Sequence, residues 1–151
     1  MKRRVLHFVR KKSQLKASFI QNQIVNHIDF ESIVIFRQGI PKGAYDGGFA
    51  EEIASDIKMI DLGDDENFFE KKLFRFGKQL SFRQCEKLRR MVREIQPDIM
   101  HFHYGTDAGI YLKALKGFDI PKVVSFYGYD CFSFPRKYFG AGRLYLKKKS
   151  I

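Results

Sequence analysis

The sequence predicts an α/β domain built on a doubly wound parallel sheet with helices on both faces. Short runs of β-branched and apolar residues recur along the chain, at Val5–Val9, Ser32–Phe36, Ile57–Leu62, Pro97–His103 and Ile120–Phe126, and read as buried strands. Segments of helical periodicity separate most of them, as parallel βαβ connection requires. No repeat or low-complexity tract interrupts this alternation.

The elements follow in order. Val5–Val9 is apolar enough for a strand covered on both faces. Ser18, with Gln21 three residues on, has the capping-box pattern of a helix start, and Ile20, Ile24, His27 and Ile28 form its stripe. Ser32–Phe36 is the second strand, and Gly39, Pro41, Gly43, Gly47 and Gly48 mark a long loop. Ile57–Leu62 is a weaker third strand that Gly63-Asp64-Asp65 ends. A helical region runs from Phe68 to Ile95, with one stripe at Phe69, Leu73, Phe76 and Leu80 and the next at Cys85, Leu88, Val92 and Ile95. Gly77 and Ser81 are where it would break, and Cys85 reads as a small core residue. Pro97 opens the fourth strand; Thr106 or Asp107 caps the next helix, which turns Ile110, Tyr111, Ala114 and Leu115 to the core and stops at Gly117. Ile120–Phe126 is the fifth strand, and the aromatic, basic remainder from Cys131 holds part of one more helix.

In a doubly wound sheet of order 3-2-1-4-5, strands one and four meet at the switch point. Ligands of such sheets bind beyond the carboxyl ends of the strands there. The expected cleft is walled by the loops Arg10–Ala17, His103–Asp107 and Tyr127–Asp130.

The 151 residues suffice for one domain with a sizeable core, and the 44% hydrophobic content excludes a disordered chain. Two cysteines, Cys85 and Cys131, make neither a disulfide framework nor a metal cage. The apolar run after the basic N-terminus is too short for a signal peptide, and no stretch is long enough to span a bilayer. A cytoplasmic, soluble or peripheral protein is expected. The net charge of +11 is unevenly spread: it gathers in residues 2–16, 71–93 and 136–149, whereas acids cluster between Glu51 and Glu70. This polarity fits an anionic partner (a phosphorylated ligand, a membrane surface or nucleic acid) or solvated helix faces. The absence of any docking motif argues against nucleic acid.

The cleft loops narrow the chemistry. No dinucleotide fingerprint and no P-loop occurs. Arg10, Lys11, Lys12 and Ser13 could hold a phosphate with the helix N-terminus that follows. His101 and His103 share one side of their strand. Together with Asp107 they are metal-ligand types, but no further ligand cluster is evident in sequence, and no metal ligand is assigned. On the alternative reading His101 is a satisfied core residue and His103 edges the cleft. Tyr104 lies in the same loop; Gly105 allows close backbone approach, and Thr106 and Asp107 open a helix whose N–H groups could hold a hydroxyl or anion. Tyr127-Gly128-Tyr129-Asp130 offers hydroxyls and a carboxylate beside glycine, which suits a polyhydroxylated ligand or, equally, a capped turn with Asp130 starting a helix.

Three segments carry a resemblance. Asp98-Ile-Met-His-Phe-His-Tyr-Gly-Thr-Asp107, then Ile120-Pro-Lys-Val-Val-Ser-Phe-Tyr-Gly-Tyr-Asp130, with Ser18-Phe-Ile-Gln-Asn-Gln23 ahead of them, resemble the N-terminal domain of glycosyltransferase family four, bacterial enzymes of the GT-B type. The resemblance implies a Rossmann-like acceptor-side domain facing a C-terminal domain that binds a nucleotide-sugar donor. It also implies transfer with retention, no metal requirement and a glycan or lipid-linked acceptor in surface polysaccharide synthesis. The basic 71–93 segment then becomes a candidate for the anionic inner face of the membrane. Residues 1–151 are expected to be a truncated N-terminal portion that lacks the donor domain and catalyses nothing alone. By the same resemblance Tyr127 stands where many members carry a sugar-contacting His, so Tyr127 and Asp130 are the candidate catalytic residues. Arg10, Lys11, Lys12, Ser13, Ser18, His103, Tyr104, Gly105, Thr106, Asp107 and Gly128 are the candidate substrate contacts. Departure from His to Tyr favours positioning over proton transfer, because a phenol is a poor base at neutral pH. The alternative is a basic nucleotide- or nucleic-acid-binding α/β module without transferase activity.

Overall fold

The computed structural model describes residues 2–38 and 57–136. Strands β1 (Arg3–Phe8), β2 (Phe30–Phe36), β3 (Lys58–Asp61), β4 (Ile99–His103) and β5 (Lys122–Ser125) form one parallel sheet in the order β3-β2-β1-β4-β5. The Rossmann-like α/β class and the strand order expected from the sequence are both present. The helices are α1 (Ser18–Val25), α2 (Phe68–Gly77), α3 (Phe82–Ile95) and α4 (Gly105–Tyr111), with a 3₁₀ turn over Lys12–Lys16.

Alternate strand residues separate the two faces of the sheet. Leu6 and Phe8 of β1, Ile33 and Ile35 of β2, and Met100 and Phe102 of β4 join the larger core with Leu88, Val92, Ile95, Tyr111 and Leu115. Val9, Val34 and Phe36 join Leu15, Ile20 and Ile24 under α1 in a smaller one. Register places Phe8 beside Phe102 and Ile35, and His7 beside His101 and Val34.

Capping explains where the helices start. Asn67 accepts from the Glu70 amide while Glu70 accepts from the Asn67 amide, each at 2.9 Å, and Ser81 and Gln84 reciprocate in the same way ahead of α3. The break expected near Gly77 and Ser81 is thus real: Lys78 takes a left-handed conformation (φ 50°) and Ser81 restarts the chain.

Several local expectations are corrected. The N-cap of α1 is Ala17, not Ser18: the Ala17 carbonyl already accepts from Ile20 and Gln21, so Ser18 lies inside the helix with no capping bond. That helix ends at Val25, which leaves Ile28 exposed. In α2 the buried residues are Phe74 and Glu70, while Phe69 and Phe76 face outward. The cause is Glu70, which accepts from Arg83 (2.6 Å) and Ser81 (2.5 Å) and turns Phe74 inward over the buried Arg37 guanidinium, 3.6 Å from its ring. The cap of α4 is Tyr104, ahead of both Thr106 and Asp107. The stripe on α3, the core residues after α4 and the positive φ at Gly117 agree with expectation. Beyond β5, Tyr129–Ser133 forms a π turn and Phe134–Arg136 a 3₁₀ turn. The glycine-rich loop over 39–48 and the C-terminal basic run lie outside the described residues.

Candidate active site at the switch point

The three loops expected to wall the cleft are joined by hydrogen bonds at the ends of β1, β4 and β5. Asp107, buried, accepts from the Arg10 amide (3.1 Å) and from Gln14 Nε2 (2.7 Å), and its other oxygen lies 3.8 Å from Arg10 Nε. Burial raises its pKa against the opposing pull of Arg10 and Gln14. Asp130, also buried, accepts from the Gly105 amide at 2.6 Å and the Tyr127 amide at 3.0 Å. A carboxylate engaged by two backbone donors holds the β4 and β5 loops to each other. Asp130 has no solvent exposure.

Backbone geometry at this junction is demanding. Gly105 packs under Phe126, where any added Cβ would overlap the ring. Gly128 has φ 82°, a region that disfavours other residues. Tyr104 also has a positive φ, 76°, at the end of β4; such a conformation costs about 1–3 kcal/mol and persists only when its surroundings enforce it. Here the Tyr104 amide donates to the Ser125 carbonyl, and its own carbonyl accepts from Asp107 and Ala108.

Tyr127 is the half-buried side chain at the centre. Its ring contacts Phe19 (4.6 Å) and Tyr104 (4.9 Å), and its hydroxyl donates to Gln23 Oε1 at 3.0 Å. Burial raises its pKa, so it remains a neutral phenol. With its proton on Gln23, the Tyr127 oxygen accepts from His103 Nδ1 at 2.8 Å. His103 Nε2 is then the acceptor in the 3.1 Å hydrogen bond with His7 Nδ1, and the His7 Nε2 lone pair has no hydrogen-bond partner among the described residues. His101 pairs through Nε2 with Ser125 Oγ at 2.8 Å. Desolvation, reinforced by the neighbouring imidazoles, lowers the His7 pKa to about 2 and that of His103 to about 3; burial lowers His101 as well. All are neutral at physiological pH.

The structure thus brings His103, Tyr104, Gly105, Thr106, Asp107, Tyr127, Gly128 and Asp130 to one junction. His103 proves fully buried and His101 partly exposed. The basic loop divides: Arg10 turns to Asp107, while Lys11 and Ser13 are exposed on the 3₁₀ turn that intervenes before α1. Ser18 is exposed on α1. Sequence reasoning missed Gln14, Gln23, His7 and His27. His7 was detectable in principle, because the order 3-2-1-4-5 sets the middle of β1 against the His101 position.

No curated protein matches the chain. The glycosyl transferase 4-like family profile matches residues 48–150, a segment that contains β3, β4, β5 and the loops from His103 to Asp130. With its parallel sheet and a match over most of its length, the chain belongs to the glycosyl transferase 4-like family.

Proposed function

We propose that this is the acceptor-side domain of a retaining glycosyltransferase that works at the inner face of a membrane, on a lipid-linked acceptor, with a nucleotide-sugar bound by a second domain. The family supplies sugar transfer. One surface supports the acceptor class: α2 and the start of α3 expose Phe68, Phe69, Leu73, Phe76 and Phe82 among Lys71, Lys72, Arg75 and Lys78. Phe69 and Phe76 are each 78% exposed and Phe82 83%. Aromatic residues interleaved with lysine and arginine suit an anionic bilayer interface, where each basic residue contributes about 1 kcal/mol. Arg83 and Lys87 are instead engaged by Asp64, Asp65 and Glu70, so the charge beside these aromatics is that of Lys71, Lys72, Arg75 and Lys78. Lys78 lies near enough to Arg10 and Lys11 for their charges to add to the desolvation that lowers its pKa, which links this surface to the cleft edge. No helix among the described residues is long and apolar enough to cross a membrane.

In this reading Tyr127 orients a sugar hydroxyl by hydrogen bonding, and Asp130 is a positioning residue that sets the Tyr127 backbone. Thr106, Gly128, the exposed Lys11 and Ser13, and the partly buried Lys12 line the approach as substrate contacts. The test is sugar transfer by the full-length enzyme to lipid-linked acceptors in vesicles. Transfer should be faster on anionic than on neutral vesicles, and Phe69→Ser with Phe76→Ser should erase that difference. Equal rates on both lipids, or transfer only to soluble glycans, would overturn the membrane reading.

A further inference from the structure

The chain has four histidines, from three separate stretches of sequence, and the fold gathers all of them beneath the cleft. His7 comes from β1, His101 and His103 from β4, and His27 from the turn after α1. His7 packs against each of the others at 5.3 Å between ring centroids, and His101 and His103 are 4.3 Å apart. One ring nitrogen from each of His7, His101 and His103 lies within 4.8 Å of the other two. We propose that His7, His101 and His103 form a binding site for a divalent transition metal of the zinc class.

Chemistry selects that class. Three imidazoles without thiolate or carboxylate suit zinc, cobalt, nickel or copper, and do not suit magnesium or calcium, which require oxygen ligands. Geometry is near what such an ion needs. Zn–N bonds of about 2.0–2.1 Å at tetrahedral angles set the ligand nitrogens about 3.3 Å apart. His7 Nδ1 and His103 Nε2 are already 3.1 Å apart. An ion there replaces the proton that the two nitrogens share, which passes to His7 Nε2, and His101 closes from β4 by a side-chain shift.

The surroundings are those of a ligand set, not of an ordinary core. His103 Nδ1 donates to the Tyr127 hydroxyl, which fixes the tautomer that leaves Nε2 free to coordinate and gives the ligand an outer hydrogen-bond partner. His7 is fully buried among three other imidazole rings. The ion would tie the end of β1 to β4 and, through His103, hold Tyr127 in place. The inference does not depend on the sugar-transfer reading.

The test is metal binding by the full chain. After chelator treatment and dialysis against zinc, elemental analysis should find one ion per chain, and cobalt(II) should give the intense visible bands of a tetrahedral site. Zinc should also raise the thermal midpoint of the wild-type protein. His101→Asn, at the partly exposed ligand, should weaken zinc binding more than the 10–100-fold that a lost outer partner costs, with unchanged far-ultraviolet circular dichroism. Zinc that leaves the wild-type midpoint unmoved, cobalt spectra of octahedral aquo type, or a His101→Asn variant that binds zinc as wild type does would each overturn the site.

Discussion

The two faces of this sheet are made by the same strands, yet their chemistry is opposite. On one face Leu6, Phe8, Ile33, Ile35, Met100 and Phe102 meet α3 and α4, and Phe8 stacks on Phe102 at 4.6 Å. On the other, one residue along each strand, His7, His101 and His103 replace the expected aliphatics beside Val34, Val9 and α1. Buried polar residues need partners, whereas buried apolar ones need only shape. The first face therefore supports the fold, and the second carries a hydrogen-bonded line that runs to the cleft. Burial alone does not mark a core as inert; the chemistry of alternate residues does.

The contrast can be broken first on the apolar side. Phe102→Ala should destabilise the domain by about 3–5 kcal/mol, measured by denaturant unfolding, with little effect on the pH dependence of stability. The imidazole face should respond to pH instead. The folded-state pKa values of His7 and His103 are depressed below the unfolded value of about 6.5, so the unfolded chain binds more protons. In chelator-treated protein, stability is fully present above pH 6.5. It should fall progressively as pH drops from there toward 3, because both groups must take up protons on unfolding. His7→Leu should remove its share of that slope, and an unchanged slope would mean that the row does not govern acid stability.

Smaller effects sharpen the cleft end of the same face. Asp130→Ala leaves the Gly105 and Tyr127 amides without their acceptor and should cost about 1–3 kcal/mol in unfolding free energy. Gly128→Ala meets no atom within contact distance but must adopt φ 82°, so its cost should be about 1–2 kcal/mol, from backbone conformation alone.

Legibility from sequence followed the range of the interaction concerned. Strand parity and the α3 stripe are local periodicities, visible in the residues themselves, and the strand order was inferred from the fold class they imply. The outward turn of Phe69 and Phe76 was not, because it depends on Glu70 meeting Arg83 and Ser81 from the next helix. The capping of α1 by Ala17 was hidden by an intervening 3₁₀ turn whose sequence looks like a basic loop. The loops of the site were readable from topology. The line from Tyr127 through His103 to His7 was not, since it joins residues 24 and 96 positions apart. Asp130 carried two readings in sequence, and its burial against two amides gives it a holding role.

The central claim is that sugar transfer in this family member is organised at the β1–β4 switch point around the Tyr127 hydroxyl. The most direct measurement is steady-state sugar transfer by the protein and its Tyr127→Phe variant, which keeps the ring contacts with Phe19 and Tyr104 and loses only the hydroxyl. The account predicts a fall of about 10-fold or more in kcat/KM with unfolding behaviour near wild type. Wild-type turnover in Tyr127→Phe would contradict it.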